Sequence, residues 1–152
     1  MNSVSQRLTE LGIELPPVPA PVASYLPAIR SGQHVFTSGQ LPTIGGVLQA
    51  TGKVGAEVTP DEAVRHARVC ALNALAAVHA LVGIDSVVRV VKVVGFVASS
   101  PGFTGQPAVV NGVSDLLGEV FGEAGRHARS AVGVAVLPLD APVEVELIVE
   151  VR

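Results

Sequence analysis

Two charged residues near the end of the chain, Arg129 and Glu144, are of the types that bind and process a small acid. A guanidinium is a rigid fork that grips a carboxylate through two parallel hydrogen bonds, and a glutamate beside the bound molecule can orient water or carry a proton. Arg129 opens a β-branched segment. Glu144 lies in a run where Val143, Val145, Leu147, Val149 and Val151 alternate with Glu144, Glu146, Ile148, Glu150 and Arg152. That period of two predicts a strand with one apolar face and one carboxylate-bearing face. Leu137-Pro-Leu-Asp-Ala-Pro142 separates the two segments, so the pair is expected on neighbouring strands, within reach of one pocket. Taken alone, such a pair is more often a cross-strand ion pair on a sheet surface. Upstream, Ser38 can donate to a ligand or satisfy a strand end, and Gly39 permits close backbone approach.

Other chemistries lack their residues. There is no His-Glu-x-x-His, no phosphate-binding glycine loop, no dinucleotide fingerprint and no Gly-x-Ser-x-Gly elbow. The histidines at 34, 66, 79 and 127 show no metal-ligand spacing, so neither a metal nor a cofactor is expected. Cys70 is the single cysteine, which rules out an internal disulfide and suits a reducing, cytoplasmic setting. It falls on a helix seam with no cation beside it in sequence, as an inert buried thiol would. A net charge of −3 and the absence of tryptophan argue against nucleic acid as a partner. The N-terminus lacks a charged start followed by an apolar run, and no stretch of ~18 apolar residues predicts a membrane span.

The elements that must position these residues follow from pattern. At 152 residues, 49% of them hydrophobic, the chain fits one domain with a sizeable core. Residues 3–11 predict a short helix stopped by Gly12. Leu15-Pro-Pro-Val-Pro-Ala-Pro21 then fixes φ repeatedly and predicts an extended, unpaired strap, so 1–21 reads as an appendage to a domain over 22–152. Residues 24–30 and 34–38 flank Ser31-Gly-Gln33 as a hairpin. Thr59-Pro-Asp-Glu62 is a strong helix start, and apolar spacing carries that helix to about Leu81, before Gly83. Asp85 to Ala98 is a β-branched run expected to be a central strand buried on both faces for much of its length, and 107–121 predicts a second long helix. Two helices on one face of a mixed sheet leave the other face apolar and uncovered, which predicts an oligomer.

Several of these stretches together resemble the Rid/YjgF family of reactive-intermediate imine deaminases. The resemblance runs over residues 22–152 through Ser24-Tyr25, Phe36-Thr-Ser-Gly-Gln-Leu-Pro42, Asn73, Val91-Lys92, Phe96-Val97 and Asn111. It ends in Ala128-Arg-Ser-Ala-Val, Leu137-Pro and Val143-Glu-Val-Glu, the most specific part. It implies a chorismate-mutase-like α/β (α+β) fold assembled as a homotrimer around a barrel-like centre, with clefts between subunits. It implies that Arg129 binds the substrate carboxylate and that Glu144 helps position the hydrolytic water. Tyr25, Ser38, Gly39, Asn111 and the Ala131 position line the same cleft, partly from the adjacent subunit. The implied reaction is hydrolysis of 2-imino acids or their enamine tautomers to 2-keto acids and ammonia, without cofactor or metal. This chain departs from the family pattern at Ala131, where cysteine is usual; at His127, where proline is common; at Ala23-Ser24, where Gly-Pro often stands; and in a longer 98–107 loop. A non-catalytic binder of small carboxylates is the alternative that the missing cysteine favours.

Overall fold

The computed structural model describes residues 2–18 and 24–152. Helix α1 (Val4–Glu10) starts with a reciprocal cap: the Ser3 hydroxyl accepts from the Gln6 amide while the Gln6 side chain accepts from the Ser3 amide. It buries Leu8 in the main core. The strap has no regular structure over 13–18, and the rest of it, with the Ala23 departure, lies outside the described residues. Strands β1 (Ala28–Ser31) and β2 (His34–Thr37) form the expected hairpin, shorter than predicted, so Tyr25 sits ahead of the first strand. A small ribbon, β3 (Thr43–Ile44) and β4 (Val47–Leu48), turns through Gly45-Gly46.

Helix α2 (Pro60–Val82) begins as its sequence demands. The Thr59 hydroxyl accepts from the Glu62 amide, proline occupies the first turn, and Asp61 and Glu62 face the positive end of the helix dipole. Strand β5 (Val87–Ala98) follows, then α3 (Gln106–Phe121), β6 (Ala128–Val134) and β7 (Val143–Val151). The sheet order is β1-β2-β7-β5-β6, with only β5 and β6 parallel. The expectation that the Arg129 and Glu144 strands are neighbours is therefore corrected. After α3 crosses over, β6 docks parallel on one edge of β5, and β7 takes the other edge, where its apolar residues also meet β2.

Both long helices cover one face. Val143, Val145, Leu147, Val149 and Val151 of β7 join Val90, Val93 and Val97 of β5 beneath Ala67, Cys70, Ala71, Ala74 and Leu75 of α2 and Val110, Val113 and Leu117 of α3. Small residues let the helices lie close: a Cβ on Gly112 would fall 2.2 Å from the Val64 carbonyl oxygen, and one on Gly95 would fall 2.5 Å from Val110. Strand β5 is not buried on both sides, which corrects a second expectation. Its other face, with Lys92, Val94 and Phe96, is only half-buried, and Val88 is exposed. Phe36, Ile29 and Val132 on adjoining strands are exposed too, so the open face carries large apolar side chains among the glutamates of β7.

Candidate functional site

The Glu144 side of the site is shaped by a break in strand pairing. Phe36 pairs with Ile148, but the next bridge joins Gln40 to Val145, so the first strand spends one more residue than the second. Such a bulge re-aims side chains and leaves a ladder position unpaired. Here the Thr37 hydroxyl fills the gap by accepting from the Leu147 amide at 2.9 Å. Pairing resumes through Gln40 and Val145, whose amides and carbonyls exchange bonds of 2.8 and 3.0 Å. Ser38 is tied into the bend by its amide to the Pro27 carbonyl and by its hydroxyl, which donates to the Leu26 carbonyl at 2.6 Å. Asn73 of α2 pins the following segment by donating to the carbonyls of Leu41 and Thr43.

This bend lays Gly39 against Glu144. A Cβ on Gly39 would fall 2.8 Å from the carboxyl carbon and 2.9 Å from Oε1, so the missing side chain is what makes room for the carboxylate. Glu144 pairs with Phe96 and therefore projects onto the open face. Burial, and after it the charge of Glu146 two residues on, lifts its carboxyl above the ordinary 4.5. A carboxylate that holds its proton more readily is suited to exchanging one with a bound reactant. Tyr25 stands exposed ahead of the hairpin, 58% accessible, and Ser38's hydroxyl is already engaged with backbone.

Arg129 belongs to the opposite face. It pairs with Val93, whose side chain is buried under the helices, and Ala131 pairs with Gly95, which faces Val110 of α3. The guanidinium therefore reaches α3, and Nη1 donates to Asn111 Oδ1 at 2.8 Å and to Ser114 Oγ at 3.2 Å. Those bonds use both hydrogens of one nitrogen. The Nε and Nη2 edge is left over, and that edge has the geometry for a two-bond grip on a carboxylate. No ion pair claims it among the described residues.

Within one chain, then, the structure gathers the predicted residues into two groups. Ser38, Gly39 and Glu144 lie together at the bulge, while Asn111, Arg129 and Ala131 lie at the β6 edge under α3. Thr37 and Ser114 were not singled out by sequence reasoning, and His127 was noted only as a departure from the family pattern, not as a site residue. Ser114 could have been found as Asn111 plus three on the same helix face, and His127 as Arg129 minus two on the same side of a strand. Cys70 is buried with its thiol 3.7 Å from the Val143 carbonyl, and burial pushes it well above its ordinary range. It is an inert packing group. His79 accepts from the Ile84 amide beyond the end of α2, a capping role. Among the described residues no cluster of three or more His, Cys, Asp or Glu is placed to hold a metal ion, and no helix is long and apolar enough to cross a membrane.

An α+β chain with a five-stranded mixed sheet, two helices on one face and polar groups on opposite faces of the sheet has known counterparts. The family described as "YjgF/chorismate mutase-like, putative endoribonuclease" matches residues 5–151. This chain belongs to that Rid/YjgF family. It is 49% identical to Protein TCP17 of Trypanosoma cruzi over 98% of this chain and 94% of that one. A crystal structure from Agrobacterium tumefaciens is 46% identical, covering 98% of this chain and 92% of the other, with a TM-score of 0.90. The YjgF gene product of Escherichia coli is 28% identical over 89% of this chain and 94% of its own, with a TM-score of 0.66.

Proposed function

We propose that the protein hydrolyses 2-imino acids, or their enamine tautomers, to 2-keto acids and ammonia. The reaction takes place in clefts where the Arg129 group of one copy meets the Glu144 group of another, in a cytoplasmic homotrimer whose working unit is residues 22–152. The single observation that carries this reading is the split itself. One chain presents a guanidinium anchored to α3 on one face of its sheet and, on the other, Glu144 with a raised carboxyl among exposed apolar side chains that copies could cover.

The chemistry needs little machinery because an imine carbon is already electrophilic. The Arg129 edge holds the substrate carboxylate, and Asn111 keeps that edge turned outward. Glu144 takes a proton from water as the oxygen adds to C2, and the C=N electron pair moves onto nitrogen. Glu144 passes that proton to nitrogen, giving the carbinolamine; it then takes the hydroxyl proton and delivers it to nitrogen as the C–N bond breaks, so ammonia leaves with the bonding pair and the oxygen becomes the keto oxygen. Fixing the carboxylate and the water converts a slow encounter into a reaction within one complex. The backbone carbonyl of Ala131 can hold water where the family has a thiol.

A mixing experiment tests both the chemistry and the shared site. Arg129→Ala and Glu144→Gln each lack one half, so each alone should fail to speed keto-acid release from 2-iminopropanoate or 2-iminobutanoate generated in the assay. Co-assembled in equal amounts, they should recover about a quarter of wild-type activity, because each site draws its halves from two chains. No recovery, or a monodisperse monomer by light scattering, would overturn the shared cleft. A wild-type rate equal to buffer would overturn the deaminase reading. Ala131 favours a second reading, a carboxylate-binding protein without turnover. Arg129-dependent binding of a 2-keto acid by calorimetry, with no imine consumed, would select it.

A further inference from the structure

The hydrogen bonds behind Arg129 run two residues deeper than its contact with α3, and with a neutral His127 their direction is set by the carbonyl at the far end. His127 Nδ1 lies 2.6 Å from the Gly125 carbonyl oxygen, and its Nε2 lies 2.9 Å from Ser114 Oγ. A carbonyl can only accept, so in the neutral ring Nδ1 carries the hydrogen and Nε2 is the acceptor. Ser114 must then donate its hydroxyl hydrogen to His127, which turns the oxygen's lone pairs toward Arg129 Nη1 at 3.2 Å. The chain of donation is Arg129 to Ser114 to His127 to the Gly125 backbone. Its far end is rigid: Gly125 is buried, and a Cβ there would fall 2.2 Å from the Leu117 carbonyl oxygen, so the short helical turn after α3 is packed directly on that helix.

We infer that Ser114 and His127 are positioning residues for the proposed carboxylate site, holding Nη1 so that the Nε and Nη2 edge faces the ligand. Neither touches the substrate. Asn111 alone fixes one hydrogen of Nη1 and leaves the guanidinium free to pivot about that bond; the Ser114 bond removes the pivot. The setting of Ser114 depends in turn on a histidine with its hydrogen on Nδ1, which the Gly125 carbonyl enforces. The family resemblance puts His127 where proline is common, a residue with neither a ring acceptor nor a side-chain donor, so the third link depends on the residue this chain carries there.

The inference rests on the reading of Arg129 as the carboxylate grip, and direct binding to the full-length protein separates the two. With 2-oxobutanoate as the calorimetric probe, Arg129→Ala should abolish binding. Ser114→Ala and His127→Ala should each weaken it by ~10-fold, the scale of one hydrogen bond to a charged group. If the links act in series, the double variant should bind no more weakly than Ser114→Ala alone. Ser114→Thr, which keeps the hydroxyl, should restore most of the affinity. In turnover assays the loss should fall on KM, with kcat within about twofold of wild type, a split that general loosening of the fold would not produce. His127→Phe keeps the ring volume without its nitrogens and should reproduce His127→Ala if the alanine variant melts early. Wild-type affinity in Ser114→Ala and His127→Phe, with none in Arg129→Ala, would overturn the relay and leave the carboxylate grip standing; losses that add in the double variant would also overturn it. Wild-type affinity in Arg129→Ala would overturn both.

Discussion

The two groups in this chain handle charge in opposite ways. At the β6 edge, Arg129 is a cation with the two hydrogens of Nη1 matched to oxygens on α3, so its orientation is set while its other edge stays available. At the bulge, Glu144 is a carboxyl that burial and Glu146 discourage from ionising, beside a glycine whose only contribution is space. One is organised to hold something still, and the other to let a proton come and go. Placing them on opposite faces means that neither quenches the other inside a chain. A direct Arg129–Glu144 ion pair would have lowered the carboxyl's pKa and filled the arginine's free edge.

Variants on each side should separate holding from reacting. The largest effect is expected from Arg129→Ala, which removes a bidentate charged grip and should lower kcat/KM by roughly 100- to 1,000-fold, chiefly through KM or lost 2-keto acid binding. Steady-state kinetics paired with calorimetry would check it; a pure kcat defect would break the comparison. Gly39→Ala should come next. Its Cβ would collide with the Glu144 carboxyl, whose displacement by about 1 Å should lower kcat by ~100-fold while 2-keto acid binding at the Arg129 edge stays near wild type. Equal loss of binding and turnover would mean the two groups are not distinct in function.

The smallest effect is thermodynamic and has the opposite sign. Because the folded protein raises the carboxyl of Glu144, it holds that proton more tightly than the unfolded chain does, and native stability falls as pH rises from the ordinary 4.5 through the raised value. Glu144→Gln removes that liability. It should raise Tm by roughly 1–3 °C at neutral pH, with the gain vanishing in acid below the ordinary carboxylate range, even as it abolishes turnover. Thermal melts at both pH values would measure it. A lower Tm for Glu144→Gln at neutral pH would show that the carboxylate is a stabilising group.

How much of this was legible in the sequence differs between the two groups for a physical reason. The strand carrying Glu144 reads clearly because alternation reports burial directly: every second residue from Val143 to Val151 is buried as its pattern requires. Helix α2 is equally plain, since its cap, proline and acids are local devices. Strand β5 was misread because a valine run looks the same whether its second face meets a helix of its own chain or stands open. The bulge at Thr37–Gly39 was invisible, because a one-residue slip is a relation between two strands and not a pattern in either.

Periodicity, capping and side-chain chemistry act within a few residues, so the elements, the apolar face of each and the residue types able to grip a carboxylate or exchange a proton are written locally along the chain. The tertiary structure alone decided that β5 separates β6 from β7. That placement turns Arg129 toward α3 and Glu144 toward the open face, since the face a side chain takes depends on pairing register and strand order, and these are settled only when distant segments meet.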